Sequence, residues 1–292
     1  MGPRHVCMVS YKAPPFYSGA GAQALALAKM LVARGLQVSM LTARHAGKQP
    51  SQVSRDGVNL RRLSVIRLGR LHHLSFAFAA AWHLLRNAPD YDIVHIHTAY
   101  WRIVPLILAA KLTGIRSVVK MTLMGTDDPL SIQQRRFGSL LLRALASADA
   151  IIAISDDLAN SYLEAGLPSQ RLFRIPNGVD TDLFRPVDDH TRHGLRAGLG
   201  LPADAPVVLF VGSVDWRKGV DRLLEAWTAV QAQRPDAVLA LVGPMRGPSG
   251  PEIDRPISDY LHAFVQRELS TETVRVLGEK KQIHRFYQLA DV

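Results

Sequence analysis

The chain has a single cysteine, Cys7, among its 292 residues. That scarcity excludes an intramolecular disulfide framework and any zinc module built from several cysteines. Aromatic residues amount to only 7%, yet 48% of the chain is hydrophobic, and the 17 Pro and 21 Gly are spread along it. Disorder and low complexity are thereby excluded, and the length suits two α/β domains. No long apolar run is present either. The stretch Leu74–Leu85 is interrupted by Ser75 and His83 and falls short of the ~20 residues of a membrane span. Pro3, Arg4 and His5 precede only a short apolar strand, which does not read as a secretory signal. A soluble or peripheral cytoplasmic protein is expected.

Acidic residues are scarce in one part of the chain. Residues 1–186 hold 22 Lys+Arg against 11 Asp+Glu, whereas residues 187–292 hold 13 against 14. The whole basic excess belongs to the first part, which suits an anionic partner: nucleic acid, an acidic membrane surface or a phosphorylated substrate.

Short apolar runs alternate with helical periodicity. Strands are expected at His5–Ser10, Gln37–Thr42, Val58–Ser64, Ile93–Ile96, Ser117–Met121, Ala150–Ile154 and Leu172–Ile175. Helices are expected at Ala22–Arg34, Leu74–Arg86, Ile103–Thr113, Gln134–Ala146 and Asp156–Gly166. Strands separated by helices imply a parallel sheet covered on both faces. The polar stretch Val187–Pro206 reads as a linker, after which the alternation restarts at Val207–Val211. The domain reading is therefore 1–186, a linker over 187–206, and 207–292. The last part is short, and its sheet is expected to be cut off at the C-terminus.

Three segments carry chemistry. Gly212-Ser213-Val214-Asp215-Trp216-Arg217-Lys218-Gly219 follows a buried strand and opens an amphipathic helix. Free backbone N–H groups, a positive helix end and two cations make a diphosphate its natural ligand; the plain alternative is a turn with two solvated cations. In Pro14–Ala22, Gly19 and Gly21 let backbone approach a bound group closely. With Ala24 they match a dinucleotide fingerprint only weakly: the strand ends too early, and Thr42-Ala43-Arg44 lacks the acidic ribose ligand. Lys120–Pro129 is a loop with adjacent acids, Asp127 and Asp128, which either orient a sugar hydroxyl or cap the next helix. His95 and His97 share one strand face with no third ligand nearby, so they read as packed histidines rather than a metal site. Finally, Arg61, Arg62, Arg67, Arg70 and Arg86 lie beside Leu71, Leu74, Phe76, Phe78 and Trp82. Such a region either rests on an anionic bilayer or is a core helix behind a solvated basic strand.

The segments Ala148–Ser155 and Ile175-Pro176-Asn177-Gly178-Val179-Asp180 through Pro186 resemble the retaining glycosyltransferases of the GT4 type. So do Phe210–Gly219 followed by Leu223-Leu224-Glu225-Ala226, then Leu241-Val242-Gly243, and the closing Tyr287–Val292. The resemblance implies a GT-B fold, in which two Rossmann-like, doubly wound domains face a cleft, the second here incomplete. It implies transfer of a sugar from a nucleotide-diphosphate-sugar donor to a glycan, lipid or small-molecule acceptor, with retention, in cell-envelope polysaccharide or glycolipid synthesis. Lys218, with Arg217, would neutralise the donor diphosphate, so that no metal or other cofactor is required. Gly19, Gly21 and Ser213 would line the donor site, and backbone near Gly243 and Leu277 would hold the nucleoside. Met124 stands where many members carry His, which leaves Asp127 as the substitute catalytic contact. The family's acidic E-x7-E segment would come after Val292. The alternatives are an NAD(P)-dependent Rossmann oxidoreductase and a non-catalytic nucleotide-sugar or membrane-binding module; nucleic acid is not expected as a partner.

Overall fold

The computed structural model describes residues 4–16, 18–45, 49–66, 68, 71–245, 256–269 and 272–292. It divides into two compact units, Met1–Gly178 and Val179–Val292.

The first unit runs β1 (His5–Val9), α1 (Gly19–Ala33), β2 (Gln37–Ala43), β3 (Gln52–Arg55), β4 (Val58–Leu63), α2 (Leu71–Arg86) and β5 (Ile93–His97). It continues through α3 (Ile103–Thr113), β6 (Arg116–Met121), α4 (Pro129–Gln133), α5 (Gly138–Ser147), β7 (Ala150–Ala153), α6 (Asp156–Glu164) and β8 (Leu172–Arg174). Its eight strands lie in the order β3-β4-β2-β1-β5-β6-β7-β8. All pairings are parallel except that of the edge strand β3 with β4. Alternation sends Cys7 and Val9 of β1 to one face and Val6 and Met8 to the other. The first face packs Phe76 and Leu84 of α2, Ile103 and Ile107 of α3 and Leu145 of α5 into one core; the second packs Ala24, Leu25 and Ala28 of α1. Burial pushes the Cys7 thiol pKa up, so it behaves as a small apolar side chain.

Three local differences from the expected elements have physical causes. α1 begins at Gly19, because the Ser18 side chain accepts from the Gly21 N–H and caps the helix. Gly19 and Gly21 thus belong to the first turn instead of the loop before it. β3 is an added strand, joined to β4 through Asp56 and Gly57, both at positive φ; this Asp-Gly pair is the hairpin signal. The helix expected over Gln134–Ala146 starts late, at Gly138, and a separate short helix, α4, precedes it. Phe137 turns to φ 66°, and a Cβ on Gly138 would stand 2.2 Å from the Ile132 carbonyl oxygen.

The second unit runs α7 (Asp189–Ala197), β9 (Val207–Val211), α8 (Val220–Gln233), β10 (Val238–Val242), α9 (Ile257–Glu268), β11 (Val274–Gly278) and α10 (Ile283–Leu289), with parallel strands in the order β11-β10-β9. The stretch 187–206 differs from the expected linker: it contains α7, whose N-cap is Asp188, and it is anchored by Arg196. That buried guanidinium donates to the Leu289, Ala203 and Ala205 carbonyls and to Asp291 Oδ2 at 2.7 Å. Asp291 Oδ2 also accepts from the Val207 N–H at 2.7 Å, so one carboxylate joins α7, β9 and the segment after α10. Arg196→Met strands three carbonyls and leaves the Asp291 carboxylate to Val207 N–H and Arg192 alone, and a loss of about 3 kcal/mol is expected. Urea unfolding followed by circular dichroism checks this; a change below ~1 kcal/mol would refute the anchoring role. With the break at Gly178, the first unit holds 21 Lys+Arg and 9 Asp+Glu, the second 14 and 16.

Candidate functional site

In open parallel sheets, ligands bind beyond the carboxyl ends of the strands. At that end of the second unit, the loop after β9 meets the loop after β10. Gly243 has φ +148°, and a Cβ there would stand 1.7 Å from the Gly212 carbonyl oxygen. Hydrogen bonds Gly212 N to Val242 O, Val214 N to Pro244 O and Gly243 N to Gly278 O hold the three strand ends together. Ser213, Val214 and Asp215 are buried in this contact. The Asp215 carboxylate accepts from the Lys218 N–H at 3.0 Å and closes a 3₁₀ turn over Trp216–Lys218. Gly219, at φ 68°, then turns the chain into α8. Trp216 packs on Tyr260 of α9, with ring centroids 4.9 Å apart.

The turn leaves Arg217 and Lys218 exposed at the start of α8. Arg217 Nη2 is 4.0 Å from Asp215 Oδ2, while no ion pair involves Lys218 among the described residues. Ser213, Arg217, Lys218 and Gly243 therefore converge on one end of the sheet. Leu277 lies on β11, but its side chain packs against the buried cluster that includes Val207, Val242 and Phe286, so only backbone from that position reaches the strand end.

The remaining expected residues lie in the first unit, and two have a different place there. Gly21 is buried, and a Cβ on it would stand 2.0 Å from the Lys12 carbonyl oxygen; its missing side chain makes room for the chain's own backbone. Gly19 has open space around it. Asp127 is 2% exposed. Its carboxylate accepts from the backbone N–H groups of Ala99, Thr122 and Leu123 and from the Thr122 hydroxyl at 2.8 Å. With its oxygens so engaged, Asp127 positions the loops after β5 and β6 and does not present itself to a substrate. Helix capping falls to Asp128, which accepts from Ser131 N at 2.9 Å.

Beyond β1 and β5 lies a cluster that pattern reading did not single out. The Arg102 guanidinium is 5.0 Å from the Tyr11 ring centroid and 5.5 Å from that of Tyr100, and Arg135 covers the same Tyr100 ring at 5.5 Å. Arg102 Nη1 is 3.0 Å from His73 Nδ1; burial first, then Arg102, hold that imidazole below its ordinary pKa, so the neutral ring accepts. Tyr11 Oη bonds His72 Nδ1. No carboxylate pairs with Arg102 or Arg135 among the described ion pairs. The one available signal was the Tyr100-Trp101-Arg102 run directly after a buried strand.

His95 and His97 lie on one face of β5, rings 4.4 Å apart, beside the buried Lys120 of β6. Neither His97 nitrogen has a hydrogen-bond partner. Burial, then the Lys120 charge, lower His95 to about 4; burial, then His95 and Lys120, hold His97 well below its ordinary value. Among the described residues, no group of three or more His, Cys, Asp or Glu is placed to hold a metal, and no helix is long and apolar enough to cross a membrane.

Known proteins resemble this chain in sequence and fold. The "Glycosyl transferase 4-like domain" family matches residues 18–178, and "Glycosyl transferases group 1" matches residues 192–292. D-inositol 3-phosphate glycosyltransferase 1 of Catenulispora acidiphila is 32% identical over 85% of this chain and 63% of its own length. Alpha-maltose-1-phosphate synthase of Mycolicibacterium smegmatis is 27% identical over 73% of this chain and 56% of its own. The chain thus spans less than two thirds of these relatives. Among solved structures, Anabaena HepE in complex with UDP and glucose superposes with a TM-score of 0.74 at 18% identity, over 98% of this chain and 72% of that one. The sucrose-phosphate synthase of Thermosynechococcus elongatus gives 0.72 at 23% identity, over 99% and 74%. The fold is therefore the GT-B fold, and since the first family alone takes in more than half of the residues, the chain belongs to the GT4-type glycosyltransferases.

Proposed function

We propose that the protein transfers a sugar from a nucleotide-diphosphate-sugar to a small anionic acceptor, with retention of anomeric configuration and without a metal. The observation that carries this reading is the Gly212–Gly219 turn, which delivers an unpaired Lys218 and the exposed Arg217 to the N-terminus of α8. As the sugar–phosphate bond breaks, negative charge grows on the leaving diphosphate. Fixed cations and a positive helix end stabilise that charge more than the ground state. The glycine contact at Gly212 and Gly243 keeps side chains away from the backbone where a nucleoside would lie. On the acceptor side, Arg102 and Arg135 over Tyr100 offer uncompensated positive charge, as a sugar phosphate requires. The names of the inositol-phosphate and maltose-1-phosphate relatives support that acceptor class. A lipid-linked acceptor at the inner membrane face, within cell-envelope synthesis, is a second reading, which draws on the basic first unit.

Lys218→Ala is expected to weaken UDP binding by about 10- to 100-fold in calorimetry, the loss of one charge-assisted contact, with the thermal unfolding curve unchanged. Unaltered affinity would sink the diphosphate assignment. Proton NMR of the transferred linkage tests retention.

A further inference from the structure

Three neighbouring helices of the first unit, α2, α3 and α5, press their inner residues into one core and turn the rest outward. What they turn outward is apolar. Phe78 and Trp82 are 62% and 60% exposed, Leu108 and Leu112 57% and 70%. Phe78, Trp82 and Leu85 follow one another at spacings of four and three along α2, and Leu108 and Leu112 are one turn apart on α3, so each set forms a stripe. None of the three helices contains an Asp or Glu. They carry the exposed cations Arg86, Lys111 and Arg143, and the Arg86 guanidinium lies 5.8 Å from the Trp82 ring centroid. The nearest carboxylates along the chain, Asp90 and Asp149, come after the ends of α2 and α5. By contrast, α6 carries Asp156, Asp157 and Glu164, and α8 carries Asp221 and Glu225.

We infer that this face docks on an anionic lipid bilayer, the apolar stripes entering the boundary between headgroups and acyl chains while the cations meet lipid phosphates. Charge selects the occupant. A second copy meeting this face through a two-fold axis would bring Arg86, Lys111 and Arg143 onto an identical face whose helices carry no Asp or Glu, and Asp149, the carboxylate that feels Lys111, is already held by the Ser117 N–H and hydroxyl. A bilayer rich in anionic lipid supplies both the apolar layer and the missing negative charge. Arg61 and Arg62 lie on β4, and Arg61 Nη1 is 3.4 Å from Nδ1 of the buried His83, on the inner side of α2 instead of its outer stripe; Arg67 and Arg70 lie outside the described residues. The inference deepens the membrane part of the proposed function and stands apart from the transfer chemistry.

The test is flotation of the full chain with vesicles of phosphatidylcholine alone or with 30% phosphatidylglycerol, at low and high salt, with UDP binding measured in parallel. Wild type is expected to float with the anionic vesicles at low salt only. Phe78→Ser with Trp82→Ser is expected to lower partitioning at least tenfold. Arg86→Gln, Lys111→Gln and Arg143→Gln are each expected to lower it about fivefold, the weight of one basic residue near an anionic surface. Circular dichroism and UDP affinity are expected to stay at wild-type values in all variants. Absence of flotation, flotation indifferent to lipid charge, or flotation undiminished in the folded variants would overturn the inference. So would a dimer in light scattering that Phe78→Ser with Trp82→Ser dissolves. Loss of UDP binding in wild type, with flotation intact, would instead strike only the donor reading.

Discussion

Gly243→Ala is expected to destabilise the second unit by about 4 kcal/mol or more and to abolish UDP binding with it. The new methyl would stand 1.7 Å from the Gly212 carbonyl oxygen, on a residue whose φ of +148° L side chains rarely adopt. The neighbouring atom is backbone and cannot swing aside. Overpacking of this kind costs about 1–3 kcal/mol and a strained φ a similar amount, before the strand ends separate. Gly212→Ala is the control. A Cβ there would meet only the Phe210 ring, at 3.6 Å, which is ordinary contact, and a change below ~1 kcal/mol is expected. Urea unfolding of the two variants decides the matter: equal stabilities would show that the strand-end contact is not rigid.

The second large effect is an acid weakness in the first unit. The folded protein holds His95 neutral, with a pKa lowered to about 4, and holds His97 well below its ordinary value, in both cases chiefly by burial. In the unfolded chain both protonate near pH 6.5. Above that pH both states are neutral and the pair adds no pH dependence. As pH falls from about 6.5 toward 4, the unfolded chain takes up protons that the folded state refuses, and stability falls with it. By this linkage His95 is worth about 2 kcal/mol at pH 5, and His97 acts in the same direction. Denaturation midpoints at pH 7, 6 and 5 are expected to fall progressively, and His97→Gln is expected to flatten the slope while retaining a polar side chain. A stability independent of pH over that range would mean that the imidazoles find water or a partner. His83, also lowered to about 4 by burial and bonded to Tyr91 Oη at 2.9 Å, adds to the same slope.

Local pattern carried much of the architecture. The runs His5–Val9, Gln37–Ala43, Ile93–His97 and Val238–Val242 are apolar and β-branched enough to be buried strands whatever surrounds them. Gly35 and Gly114 mark helix ends through the left-handed turn that glycine adopts freely. The Asp215–Gly219 turn was legible too, since its cap, its cations and its glycine are contiguous. Arg196 was not, because its partners at Leu289 and Asp291 are more than ninety residues away. The Asp56-Gly57 hairpin is legible as a local turn signal, whereas the late start of α5 is hidden in a helical periodicity that runs straight through Gly138.

The sequence by itself determined two α/β units, a basic first part, and a cation-bearing glycine turn opening a helix, because periodicity, charge and turn chemistry are properties of neighbours in the chain. Tertiary structure alone decided what several of these residues are for. Two carboxylates adjacent in sequence, Asp127 and Asp128, differ in role because the loop after β5 brings the Ala99 N–H to one and α6 brings the Ser161 hydroxyl to the other. Gly21 and Gly243 are set by backbone that crosses them from Lys12 and Gly212. The scarcity of acid likewise gained a location only in three dimensions, where packing against a common core turned the uncharged and basic sides of α2, α3 and α5 outward. Burial and long-range hydrogen bonding depend on which segments meet, and that is settled only when the sheet has formed.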